Sequence, residues 1–108
     1  MKDQESSSGV VPKIKVQFFG PIREAAKKSG DDLDFSPNIN VYSLLRTISG
    51  VYGERVHAEL LDERSPSGLR DDLIITLNAA VVNHESAAGT GINPGDAVSL
   101  FQTFPGGG

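Results

Sequence analysis

Only one stretch of this chain, NINVYSLLRTISGVYG, carries a helical repeat long enough to build a core against. The other apolar residues come mostly in short runs of strand period. Asn40 is a good N-cap because its side-chain oxygen can accept a bond from the free N–H groups of a first helical turn. Val41, Leu44, Leu45, Ile48 and Tyr52 then recur at helical spacing as one apolar stripe. Gly53 can end the helix in a left-handed C′ conformation, and Gly50, inside the pattern, weakens the last turn. With a single substantial helix, the economical packing is a mixed sheet whose one apolar face covers it.

The strands are read from alternation. In KIKVQFF, Ile14, Val16 and Phe18 alternate with Lys15 and Gln17, the pattern of a half-buried strand. GPIREAAKKSG gives one or two helical turns within a connection, with Gly30 suited to its C′ position and two lysines favouring its C-terminal end. DDLDF predicts a second short strand with Leu33 and Phe35 on one face, closing a hairpin with the first. ERVHAELLDE continues the main helix as a shorter helical segment, and Pro66 and Gly68 break it. DDLIITLN, nearly all apolar at its centre, predicts a third strand away from the sheet edge. Asn78 permits a turn into the short strand AVVN, and HESAAGTG reads as a loose loop. In INPGD, Pro94 and Gly95 stand at the two centres of a type II turn. AVSLFQTF is the last strand, with Val98 and Leu100 on one face and Phe101 on the other. The first and last strands are expected to pair in parallel at the centre of the sheet. The fold class is therefore α+β, a mixed four- to five-stranded sheet on one main helix.

Length and charge narrow the function. With 108 residues the chain holds one modest core. Its net charge of −4 lacks the basic clustering of a nucleic-acid footprint. No apolar run approaches the roughly 20 residues of a membrane span. Neither nucleic acid nor membrane is an expected partner. The chain has no cysteine, so disulfides, thiolate metal sites and cysteine nucleophiles are excluded. With no apolar signal core, this points to the cytoplasm. MKDQESSSG is polar and aperiodic, so residues 1–12 are expected to form a disordered extension, 13–104 the folded domain and 105–108 a flexible glycine-rich tail.

Several pieces, in order, carry a family likeness: KIKVQFFGPIREAAKKSG, VYSLLRTI, LNAAVVN, INPGDAVSLF and the final glycines. From Lys13 to Gly108 the chain resembles the small subunit of molybdopterin synthase (MoaD), a member of the ubiquitin-like sulfur-carrier group. That group also holds the thiamin-pathway carrier (ThiS) and the small archaeal modifier proteins. The resemblance implies a β-grasp fold and a non-enzymatic role with no catalytic residues and no bound cofactor of its own. It implies that an ATP-using, ubiquitin-activating-type enzyme adenylates the carboxylate of the last glycine. Conversion to a thiocarboxylate follows, and sulfur passes to a pterin precursor on the synthase large subunit (MoaE-like). In the modifier branch the activated carboxyl is joined instead to a lysine of a target protein. A third reading is a non-covalent ubiquitin-like interaction module with an inert tail.

Glycines suit such a terminus for a physical reason. A chain end that must thread a narrow channel benefits from residues without Cβ, which adopt whatever backbone angles the channel imposes. Gly106, Gly107 and Gly108 form this arm, where the family has two glycines after another residue, and Gly108 is taken as the working end. Pro105 ends ladder pairing just beyond Phe104. Phe101 and Phe104 lie next to the tail, and Phe101 is expected beside Phe19 and Ile74 on a partly exposed apolar surface. These residues, with Pro105, are the expected docking patch, because interfaces favour aromatic anchors. The bland alternative is that a loop covers Phe101 and Phe104 completes the core. Arg23, Lys27, Lys28 and Arg70 can steer an acidic partner, though each also reads as solvated surface. His57 and His84 form no metal-spaced pair. GTGINPG lacks the G-K-[ST] ending of a phosphate loop and opens no helix.

Overall fold

Alternation in the first strand survives intact in three dimensions. The computed structural model describes residues 11–103. In β1 (Lys13–Phe18) the buried residues are Ile14, Val16 and Phe18, and Lys15 and Gln17 face solvent. The chain then runs through α1 (Gly20–Ala26), β2 (Gly30–Asp34), α2 (Val41–Tyr52) and α3 (Glu54–Leu60). It ends with β3 (Leu73–Leu77), β4 (Ala80–Val82), a 3₁₀ helix (His84–Gly89) and β5 (Ala97–Gln102).

These strands form one mixed sheet in the order β2-β1-β5-β3-β4. β1 and β5 pair in parallel, Val16 opposite Val98, and the other neighbours are antiparallel. The expected parallel pairing is therefore observed, with β5 central. Parallel neighbours need a long crossover, and here it carries α2 onto one face of the sheet. This is the β-grasp arrangement.

Burial explains why α2 sits there. Val41, Leu44, Leu45 and Ile48 are fully buried in one cluster with Ile14, Val16, Ile75, Val98 and Leu100. Each such side chain contributes about 1.5–3 kcal/mol on burial. Asn40 caps the helix as expected. Its Oδ1 accepts from the Ser43 N–H at 2.8 Å, and the Asn40 N–H donates to Ser43 Oγ at 3.0 Å. Pro94 and Gly95 make the expected turn, with Gly95 at φ 87° and the Asp96 N–H donating to the Asn93 carbonyl at 3.1 Å. Asn78 and Ala79, both at positive φ, join β3 to β4 in a two-residue hairpin loop.

Four local expectations are corrected. Gly30 does not end α1. Lys27 takes the left-handed position at φ 63°, its N–H donating to the Arg23 carbonyl at 2.8 Å. Gly30 instead opens β2, where a Cβ would stand 2.6 Å from the Val16 carbonyl oxygen. Gly53 does end α2 at positive φ (91°), but with ψ −167° it leaves the left-handed helical region and starts α3 directly. Phe35 falls just past β2, packed against the core, and its N–H donates to the Pro12 carbonyl at 2.9 Å. HESAAG is a 3₁₀ helix, not a loose loop, because Ala87 is fully buried and anchors it.

Candidate functional site

β5 is the strand that leads into the glycine tail, and its two faces have opposite surroundings. Val98 and Leu100 point into the core. Phe101 points out, where Phe19 lies flat on it, ring centroids 4.5 Å apart and planes 4° from parallel. The Phe19 N–H donates to the Leu100 carbonyl at 3.1 Å, so the residue after β1 is still tied to β5 and its ring is held beside Phe101. Ile74 of β3 is the register partner of Phe101 and is half-buried. Phe19 remains 38% exposed. Across the rest of this open face the character changes by row. Ser99 donates its hydroxyl to Gln17 Oε1 at 3.2 Å, and Lys13 pairs with Asp34 at the end furthest along β1 from Phe19. The apolar end of the face is the one next to the tail.

The inner face of β5 ends on a polar residue. Gln102 follows Val98 and Leu100 in parity and reaches the C-terminal turn of α3. Its Nε2 donates to Glu59 Oε1 at 2.8 Å and to the Glu59 carbonyl at 3.2 Å. Nearby, Arg70 holds Asp72 in a two-pronged contact, Nε to Oδ1 at 3.1 Å and Nη2 to Oδ2 at 2.8 Å. Its Nη1 donates to the Ala58 carbonyl at 3.0 Å and lies 3.8 Å from Glu59 Oε1. The hydrogen bonds Arg70 donates to the Asp72 carboxylate raise the Arg70 pKa above its usual value. The Thr103 N–H donates to the Asp72 carbonyl at 2.9 Å, the last backbone bond along this edge among the described residues.

Beside Phe18, whose ring it meets edge-on, Tyr52 donates its hydroxyl to the Asp31 carboxylate. That bond holds the Asp31 pKa below the usual carboxylate range, helped by Lys28 at 3.7 Å. Burial, then the bond to Asp31, pushes the Tyr52 phenol up to about 12.

The ThiS family model matches residues 16–107, nearly the whole of this sheet-and-helix body. The chain belongs to the ThiS family. No curated protein matches it. Among solved structures, SAMP1 from Haloferax volcanii shares 19% identity at a TM-score of 0.72, covering 88% of this chain and 99% of that one. Urm1 from Trypanosoma brucei shares 23% at 0.70, over 90% and 97%. A putative molybdopterin converting factor subunit 1 from Pyrococcus furiosus shares 22% at 0.66, over 86% and 99%. These likenesses show the ubiquitin-like β-grasp fold of the ThiS/MoaD-type carriers and modifiers.

In this ThiS-family chain, the site residues expected from sequence divide into two groups. Phe19 and Phe101 are brought together, with Ile74 beside them, and Phe101 is half-buried against the Phe19 ring. Phe104, Pro105, Gly106, Gly107 and Gly108 lie outside the described residues. Of the four basic residues, Arg23 and Lys27 are exposed, while Lys28 and Arg70 are engaged by Asp31 and Asp72. His84 donates from Nε2 to the Leu73 carbonyl at 2.6 Å, a structural contact. No group of three or more His, Cys, Asp or Glu side chains among the described residues could hold a metal ion. No helix among them is long and apolar enough to cross a membrane. Sequence reasoning missed Gln102 and Glu59. The available signal was parity, since Gln102 is a polar residue at a position that alternation assigns to the core side.

Proposed function

We propose that this chain is a sulfur carrier of molybdopterin biosynthesis that works in the cytoplasm through the carboxyl of Gly108. The observation that carries the reading is the partly exposed Phe19–Phe101 stack at the end of the sheet where β5 leads into the glycine tail. A docking patch beside the tail lets a partner hold the body while the arm reaches a buried site. Stacked aromatics suit this because they present large rigid area at little entropic cost.

The chemistry belongs to the partner. A carboxylate is a poor electrophile, so an adenylating enzyme first lets its oxygen attack the α-phosphorus of ATP, with pyrophosphate leaving. A sulfide nucleophile then attacks the acyl carbon and AMP departs, giving the thiocarboxylate. A MoaE-like subunit takes the sulfur for a pterin precursor. In this reading Phe19, Phe101, Phe104 and Pro105 bind and orient, and Gly106 and Gly107 thread the channel.

A second reading is a protein modifier using the same carboxyl for isopeptide bonds. It is favoured by the SAMP1 likeness, since the Haloferax volcanii protein is described as small archaeal modifier protein 1. Deleting Gly107 and Gly108 tests both against an inert interaction module. Carrier or modifier activity should vanish with the melting temperature unchanged, whereas a truncated chain that still sustains every activity of the intact one rejects them. Covalent ladders on target lysines distinguish the modifier from the carrier.

A further inference from the structure

The Phe19–Phe101 patch offers a partner a hold on this protein, but it does not fix the strand end from which the arm departs. From the contacts around the end of β5, we infer that Glu59, Arg70, Asp72 and Gln102 form a clasp that holds Gln102 and Thr103 in place, so that the arm starts from a fixed point on the body. This rests on the carrier or modifier reading, in which the tail must reach an active site.

Three observations build the clasp. Gln102 sits at the core-facing parity of β5, yet it carries an amide, which donates twice to Glu59 at the end of α3. α3 is in turn locked to the start of β3 by Arg70, which binds the Ala58 carbonyl with one nitrogen and grips Asp72 with two others. Asp72 closes the circuit through its carbonyl, which accepts the Thr103 N–H. The last two described residues are thus held from two elements. On the other face of the strand, Phe101 is pinned by Phe19. A planar, two-pronged guanidinium–carboxylate contact resists rotation better than a point contact would. The exit is therefore gripped above and below.

Such a grip has a catalytic consequence because reacting groups must be presented closely. Misplacing one by about 1 Å can cost up to about 100-fold in rate. Gln102, Glu59, Arg70 and Asp72 are positioning residues, since they act through the placement of Gln102 and Thr103 and need not touch ATP.

The test is a charge swap. Gln102→Glu sets two carboxylates against each other, and the double variant E59Q/Q102E remakes the side-chain bond with donor and acceptor exchanged, leaving only the bond to the backbone carbonyl of residue 59 unmade. Two readouts are taken on the full chain: amide hydrogen exchange at Thr103, and ATP–pyrophosphate exchange with the adenylating enzyme of the same organism. In Q102E we expect faster Thr103 exchange and a fall of about tenfold in kcat with KM within about twofold, because docking through Phe101 is untouched. The swap should recover most of both losses, since it remakes the shorter of the two bonds. A folded Q102E with wild-type kcat and wild-type Thr103 exchange overturns the clasp. So does a loss that follows the melting temperature and is not rescued by the swap. If Thr103 exchange responds and is rescued, yet the wild-type chain is never adenylated, the clasp stands and the carrier and modifier readings fail.

Discussion

Phe18 and Phe19 are adjacent in the chain but lie on opposite sides of the sheet. Phe18 is 1% exposed and meets Tyr52 edge-on, with centroids 5.4 Å apart, inside the core. Phe19 lies flat against Phe101 on the open face. One residue of strand register thus divides a core side chain from one on the open face.

The division gives opposite expectations for two alanine variants. Phe18→Ala should destabilise the fold by about 3–5 kcal/mol, the usual cost of emptying an aromatic core site. Phe101→Ala should cost only about 1 kcal/mol in stability, through loss of the stack and some area. It should weaken capture by the adenylating enzyme by tenfold or more, on the order of a hot-spot residue. Chemical denaturation and a binding titration on both variants check this. Equal stability losses, or unchanged binding of Phe101→Ala, would contradict it.

Gly30→Ala should destabilise by about 1–3 kcal/mol, as overpacking against a fixed neighbour does. The atom in the way is backbone, the Val16 carbonyl oxygen 2.6 Å from the new methyl, so no side chain can swing aside. β2 must shift away from β1. Denaturation midpoints report the cost, and loss of protection at the Phe18 N–H, which donates to the Ser29 carbonyl, reports the location.

Tyr52→Phe should lower stability near neutral pH by about 1 kcal/mol, the net worth of one hydrogen bond. The pH dependence of that difference follows from the two shifts. The Asp31 pKa is depressed in the folded state, so its contribution is present above the unfolded value of about 3.9 and is lost as pH falls through the folded value. The Tyr52 pKa is raised to about 12, so its contribution is present below the unfolded value and fades as pH climbs toward 12. The stability difference between wild type and variant should therefore peak at intermediate pH and shrink at both ends. Urea titrations across pH measure it, and a flat difference refutes the assignment.

How much of this was readable from sequence depends on whether the cause is local. Ile14, Val16 and Phe18 announce β1 because alternation is a property of one strand. The α2 stripe and the Asn40 cap are equally local, and the structure repeats them. Phe101 was placed by parity alone, and its stacking on Phe19 follows from the parallel β1–β5 pairing. Gly30 was misread because a helix C′ position and a close strand approach both call for glycine, and only the Val16 carbonyl distinguishes them. The 3₁₀ helix escaped notice because its single anchor, Ala87, carries no periodic signal. Gln102 was missed because its partner, Glu59, is 43 residues away.

The proposed role is that of a body presenting an activatable carboxyl at Gly108 to other enzymes. Intact-mass spectrometry after incubation with the adenylating enzyme, ATP and a sulfur source tests it most directly. The predicted result is a gain equal to sulfur replacing oxygen, mapped by fragmentation to Gly108 and absent when ATP is withheld. An unchanged mass, or a gain mapped to any other residue, would contradict the claim.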